Sequence, residues 1–529
     1  MRIPRSPRRS RTGLFLMAAL LFGSCSGGGE PEVDEAAPSA DEEPEPPDLS
    51  GLMSAREHEH LEGERGLVLA EAGAMEGSTL LMPLNSTQVH LLDLAGEPVH
   101  TWETGLAPGG WSYLMDDGSL LHCGRQDEDI HFRGGGIGGF LTRFAPDGEV
   151  LWRFEFSDEL ACQHHDLEAL PNGNLLFIAW ERKSAEEAVA MGRHPEGVGA
   201  AGLWPDAVYE IRPTPPEGAE IVWSWHAWDH LVQDRDPALP NYGKPSDHPG
   251  RIDVNFGFVP PAQISDEQRK AAEEMKRQMA AIGYAGGDED EEEEPDGPPP
   301  KEWDKSGDWM HTNAVDYNAE LDLIVLSSPE MGEIFVIDHS TSREEAATSK
   351  GGRWNRGGDL LWRWGNPQNY GLGGENDQKL FYQHDPTWLG SEDDLRLLVL
   401  NNGGRRPNGE SFSEVLELTL PLDPATGFLR ELERPFGPDE PTWSYADPET
   451  FFSAFVSGAR RLPNGNTIVC SGVPGRIFEV TPEGRIVWDY YNEHGGDIKP
   501  PEHAGKAPPY ALYRAERYGP DHPGIQALN

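Results

Sequence analysis

The chain has 529 residues, enough for one large β-domain or two or three ordinary ones. Its 43 basic and 91 acidic residues leave a net charge of −48, which argues against nucleic acid and anionic membranes as ligands and obliges any anion site to bring its own local cations. With 61 glycines, 46 prolines and 16 tryptophans, turns and aromatic anchors dominate, as in an all-β repeat protein.

Residues 1–24 carry five arginines, then the short apolar run LFLMAALLFG, then Ser24 ahead of Cys25. A basic head, an apolar core too short to span a bilayer and small residues at the cut read as a secretory signal. The text FGSC is similar to a lipobox and makes Cys25 the expected lipidated first residue; an ordinary signal peptide is the alternative. The expected location is the cell envelope, periplasmic or surface-exposed, with membrane contact only through the lipid. Residues 25–50 are acidic and proline-rich, cannot bury a core, and read as a disordered tether.

From about residue 78 the sequence repeats. Closing segments end in tryptophan at 95–102, 147–152, 218–223, 357–362 and 483–488, and Asp-Gly or Asn-Gly turns recur in MDDGSLL, LPNGNLL and LPNGNTI. A period of about 50–70 residues, with four short strands per unit, predicts a β-propeller of about six blades. The expected fold is all-β: a six-bladed propeller over 51–490, its tryptophans packing between neighbouring blades. An insertion over 227–305 separates the third and fourth units. Within it 225–231 reads as a short amphipathic helix, 264–283 as a helix capped by Ser265 or Asp266, and 286–300 as a disordered acidic loop, with weak Ca²⁺ binding as a lesser alternative. Residues 491–529 show no clear periodicity and read as a C-terminal extension over one face. Cys123, Cys162 and Cys470 lack metal-type spacing; one disulfide or buried free thiols both remain open.

Three stretches place a histidine just ahead of an apolar run: CQHHD, with His165; DWMHTN, with His311; and FYQHDPTWL, with His384. Equivalent positions in different units bring such imidazoles together at the mouth of a channel. Backbone-bonded structural histidines are the plainer alternative, and a Zn²⁺ or Cu²⁺ site a further one. Strand alternation turns His164 away from His165, and turns Asp166 and Asp385 away from the neighbouring histidines.

HHDLEALPNGNLL, DWMHTNAVDYNAELDLIVLSS, DLLWRWGNP and FYQHDPTWL resemble the bacterial arylsulfate sulfotransferase (arylsulfotransferase) family over roughly 80–490. The resemblance implies a periplasmic six-bladed propeller that moves sulfate from a phenolic sulfate ester to a phenol. The route is a sulfohistidine, with no nucleotide donor and no cofactor. By motif, His384 falls on the nucleophile, His311 and Asn313 on the sulfate-stabilising pair, and His165 on the remaining active-site histidine. Two departures stand out. Pro329 replaces the family's arginine after the HTN strand, and no sizeable N-terminal β-domain precedes the first unit, so dimerisation is not carried over. Arg405 and Arg406, in NNGGRRPNG, are the candidates to replace the missing cation; solubilising a turn is their alternative role. Beside the transferase stands a second reading, a non-catalytic envelope propeller that binds ligands or a partner in its funnel.

Overall fold

The computed structural model describes residues 48–126, 130–284, 307–496, 498 and 509–529. The chain is all-β with a β-propeller-like arrangement. Its strands form antiparallel meanders, each with an inner strand followed outward by three more. The second meander runs over 108–155, the third over 161–226, the fourth over 314–364, the fifth over 384–446 and the sixth over 458–491, where Gly66–Ala70 adds an outer strand. A parallel bridge between Gly110 and His165 joins the second and third into one eight-stranded sheet.

The turn signals form the hairpins they predict. In LPNGN, the Gly173 N–H returns to Leu170 O at 2.9 Å, and Gly173 takes φ +83, a left-handed value that costs a glycine no steric clash. The following strand, Leu175–Glu181, is buried along nearly its whole length because meanders cover both of its faces. Four of the five repeated tryptophans lie between neighbours, as expected, joined by Trp443; the fifth, Trp102, is buried with its Nε1 unpartnered among the described residues. Trp152 Nε1 donates to Gly218 O (2.8 Å), Trp223 to Thr341 Oγ1 (3.2 Å), Trp362 to Gly437 O (2.7 Å), Trp443 to Pro482 O (2.8 Å) and Trp488 to Leu94 O (2.9 Å), each reaching the next meander. An indole buries a large apolar body and satisfies its one donor at the seam.

The C-terminal segment corrects the sequence expectation. Leu512–Tyr518 is not an extension over a face; it pairs antiparallel with Ser78–Pro83 and supplies the inner strand of the first meander. Residues 78–103 give that meander only three strands and leave an inner edge unpaired, which this strand satisfies. Its pattern was hard to read because Arg514 and Arg517 are buried in ion pairs rather than exposed.

Helix Asp266–Ala281 forms as expected, with Ser265 and Gln268 making a reciprocal capping box. The stretch 225–231 does not form an amphipathic helix. The strand runs on to His226, a single 3₁₀ turn covers Ala227–His230, and Leu231–Val232 pairs with Ile252–Asp253. Tertiary bonds override the local pattern: Trp225 Nε1 donates to Gly358 O at 2.7 Å, and His230 is held by Asp359 Oδ1 (2.9 Å) and Ala346 O (2.8 Å). The acidic run 286–300, the tether up to residue 47 and Cys25 lie outside the described residues. Cys123, Cys162 and Cys470 are buried free thiols. Among the described residues no helix is long and apolar enough to cross a membrane.

Candidate active site

His165 lies within the inner strand Ala161–Ala169, His311 just ahead of the inner strand Ala314–Asn318, and His384 opens the inner strand His384–Leu389. Two of these strands carry the same irregularity. Pairing of the third meander jumps from Leu167 to His164, skipping His165 and Asp166; pairing of the fifth jumps from His384 to Thr387, skipping Asp385 and Pro386. His165 (φ 58°), His311 (φ 53°) and Asp385 (φ 56°) are left-handed. Each such residue stores roughly 1–3 kcal/mol of strain, which the surrounding packing must hold. The bulges re-aim the side chains and overturn the alternation expected from sequence. His164 contacts His165 instead of opposing it, and Asp166 and Asp385 turn toward a common arginine.

That arginine, Arg514, sits on the C-terminal strand and was not singled out from sequence. It is fully buried; Nη2 donates to Asp166 Oδ2 at 3.0 Å and Nη1 lies 3.2 Å from Asp385 Oδ1. Arg460 reaches the same Asp385 oxygen at 2.9 Å. Burial pushes the Asp166 carboxyl up, and Arg514 opposes the rise. The signal available in sequence was a basic residue inside an alternating LYRAERY segment.

His165, His311 and a third group, Tyr284, form a chain of polar contacts. The His165 and His311 rings stand edge to face with centroids 4.5 Å apart. The Tyr284 hydroxyl lies 2.8 Å from His165 Nε2 and 3.2 Å from His311 Nε2. His311 Nδ1 bonds Asp308 Oδ2, His165 Nδ1 lies 2.7 Å from His164 Nδ1, and His164 Nε2 lies 3.3 Å from Asp206 Oδ1. One proton arrangement fits the hydrogen-bonded links, while the 3.3 Å approach of His164 Nε2 to Asp206 Oδ1 lacks hydrogen-bond geometry. Imidazolium His311 donates to the Tyr284 oxygen, Tyr284 donates to His165 Nε2, His165 Nδ1–H donates to His164, and His164 Nε2–H faces Asp206. Burial opposes charge on His311, but Asp308 prevails and raises it to about 9. Burial, with charge on His311 next, drives His165 well below the usual imidazole range, so it stays neutral. Asp308 was not singled out from sequence, although it stands in DWMHTN three residues before His311; Tyr284 carried no sequence signal.

His384 is buried and has one determined tautomer. Its Nδ1 faces two acceptors, Tyr382 O at 2.9 Å and Asn402 Oδ1 at 2.7 Å. Asn402 Nδ2 donates to Ser453 O and Val456 O, which fixes its amide so that Oδ1 accepts. The proton therefore sits on Nδ1, and Nε2 keeps its lone pair with no partner among the described residues. Burial lowers His384 to about 3, so it is neutral at physiological pH. The Asn313 Nδ2 donates to Gln383 O at 2.9 Å and so braces the residue before His384, while its buried Oδ1 lacks a partner among the described residues.

The two candidate arginines are placed differently. Arg406 is tied to Glu414 Oε1 at 2.9 Å and stacked 4.1 Å over Phe412. Arg405 is exposed, bonds the Tyr382 hydroxyl and lies 4.7 Å over that ring, beside the residue whose carbonyl holds His384. Among the described residues no group of three or more His, Cys, Asp or Glu side chains is placed to hold a metal ion.

A family model described as arylsulfotransferase (ASST) matches residues 140–499. The chain belongs to the arylsulfotransferase family. The match spans the three histidines, Asn313, Asp308 and Tyr284, and it supports arylsulfotransferase activity in general terms. No curated protein matches the sequence. Solved structures similar to this arylsulfotransferase include a protein of unknown function from Bacteroides caccae, at 10% identity and TM-score 0.38, covering 80% of this chain and 97% of that one. The periplasmic gluconolactonase PpgL of Pseudomonas aeruginosa is similar at 14% identity and TM-score 0.33, with 82% and 98% covered. The β-propeller domain of Cps50 (Swd1) from Myceliophteria thermophila gives 10% and 0.32, with 82% and 92% covered.

The Asp308–His311 pair makes a pH prediction. A histidine whose folded pKa is raised adds stability that is fully present below its ordinary value of 6.5 and is lost as pH rises through about 9. Asp308→Asn removes the main raising partner and leaves burial, which lowers, against the weaker raising fields of Glu330 and Asp206. The His311 titration midpoint, followed by NMR of labelled imidazoles, should then fall from near 9 toward its ordinary value of 6.5. A midpoint that stays near 9 would show that Asp308 does not hold the proton.

Proposed function

We propose that this arylsulfotransferase moves a sulfuryl group from a phenolic sulfate ester to a phenol through a sulfohistidine on His384 Nε2. The observation that carries the reading is the His384 tautomer. An imidazole locked as Nδ1–H, with a bare, buried Nε2, is a competent neutral nucleophile toward sulfur, and it divides one hard transfer into two easier ones. His384 attacks sulfur and the phenolate departs. The Tyr284 hydroxyl marks where a phenol oxygen is received: imidazolium His311 meets the developing charge, and neutral His165 takes the proton of an incoming phenol.

In place of the family arginine, positive charge comes from His311 and, behind it, from Arg514, whose field reaches both His165 and His384. Arg405, exposed and stacked on Tyr382, is a supplementary cation, and Asn313 braces the nucleophile segment. Arg406 is a poorer candidate because Glu414 already engages it.

The scaffold in this proposal is six blades closed on one axis, with the helical insertion between the third and fourth. Support comes from the inner strands 108–114, 161–169, 314–318, 384–389, 458–461 and 512–518, which neighbour one another in that order, the last meeting the first. Export with Cys25 as the lipidated first residue completes the proposal; mass spectrometry of the mature N-terminus tests it.

The second reading, a propeller that binds without reacting, gains from Pro329 and from the Tyr284 phenol lying between two of the histidines. Rapid quench with 4-nitrophenyl sulfate and peptide mapping separates the two. Sulfate on His384 is expected; label on another residue refutes the nucleophile, and no label with no turnover across a donor panel favours the binder.

A further inference from the structure

Tyr284 comes from the insertion, not from a strand, yet the site is built around its ring. A Cβ on Gly135 would lie 2.5 Å from the ring's Cε1, so glycine there leaves the space the ring fills. Phe455 stacks on the ring with centroids 5.7 Å apart. The Gly136 N–H donates to Tyr284 O at 3.3 Å, and the Tyr284 N–H returns to Met279 O at 3.0 Å. Ile282 and Tyr284 are buried in the core, with Met275 and Met279 packed against it. The hydroxyl meets the two nitrogens that an acceptor phenol needs, an N–H donor on His311 and a bare nitrogen on His165.

Tyrosine is itself a phenol, the acceptor class of the proposed reaction. We infer that Tyr284 is a modification site, an internal phenol that accepts the sulfuryl group from His384 and becomes a tyrosine O-sulfate when no external phenol is present. This rests on the sulfohistidine reading above. An external aryl sulfate loads His384 and releases its phenol. The Tyr284 oxygen then attacks sulfur: the O–S bond forms, the S–Nε2 bond breaks, and its electron pair returns to Nε2. The phenolic proton passes to His165 Nε2, the nitrogen it already faces. The product is again an aryl sulfate, so the step is chemically reversible, and an excess of added phenol draws the sulfate back out.

The test incubates the full chain with 4-nitrophenyl sulfate alone, quenches at intervals and maps the SO₃ group by peptide mass spectrometry. The expected result is label on His384 at early times and on Tyr284 later. Tyr284→Phe should lose the second label and keep the first for longer, and His384→Asn should lose both. Label on His384 that passes to an added phenol while Tyr284 stays unmodified would overturn the inference and leave the sulfohistidine reading standing. Label on Tyr284 in His384→Asn would also overturn it, because sulfate would then arrive without the histidine. No label on either residue and no release of 4-nitrophenol would overturn the sulfohistidine reading, and this inference with it.

Discussion

Replacing His384 by alanine should lower sulfuryl transfer by about four orders of magnitude or more, the scale seen when a covalent catalytic group is removed. No neighbour can take over. His165 Nε2 already accepts from Tyr284, His311 is the cationic partner of Asp308, and His164 is fully buried, with Trp180 stacked on its ring. Release of 4-nitrophenol in the presence of a phenol acceptor reads the loss. Asn402→Ala gives a graded companion. It removes one of two acceptors for Nδ1–H, so the tautomer is held less firmly and turnover should fall by less than in His384→Ala. Full activity in His384→Ala would refute the covalent route outright.

Arg514→Met should cost about 3–5 kcal/mol of folding stability, the range for breaking a buried ion pair by removing one partner. Asp166 and Asp385, both fully buried, lose a shared guanidinium; Arg460 still reaches Asp385, while Asp166 keeps hydrogen bonds from Tyr113 and backbone N–H groups and the more distant field of Arg460. Urea unfolding at neutral pH measures the loss. It should narrow as pH falls, because a carboxyl whose folded pKa has been raised gains stability when it binds its proton. The triple variant Arg514→Met, Asp166→Asn, Asp385→Asn should recover much of the loss. A triple no more stable than the single would show that uncompensated charge is not the cause.

The repeat, the turns and the tryptophan seams were legible because each is local. An Asn-Gly pair forms its turn, and a tryptophan at the end of a closing strand finds the seam, whatever the rest of the chain does. Three histidines were legible for the same reason, since each stands just ahead of an apolar run in the sequence. The C-terminal strand was not legible because 491–529 shows no clear periodicity, and its Arg514 and Arg517 are buried only because Asp166, Asp385 and Glu479 pair with them. Segment 225–231 was misread because its periodicity lost to three long-range hydrogen bonds.

Sequence by itself determined that this chain is an all-β repeat protein of the arylsulfotransferase family, and which imidazoles its inner strands present. Tertiary structure alone decided how they act. Two matching bulges, invisible in a pattern of period two, turned Asp166 and Asp385 onto Arg514. Asn402, eighteen residues from His384, chose the tautomer that frees Nε2. Tyr284, 119 residues from His165, brought a phenol to the site from an insertion whose sequence carries no mark of it. Hydrogen-bond partners so distant in the chain leave no local spacing to read; only the folded backbone brings them within 3 Å.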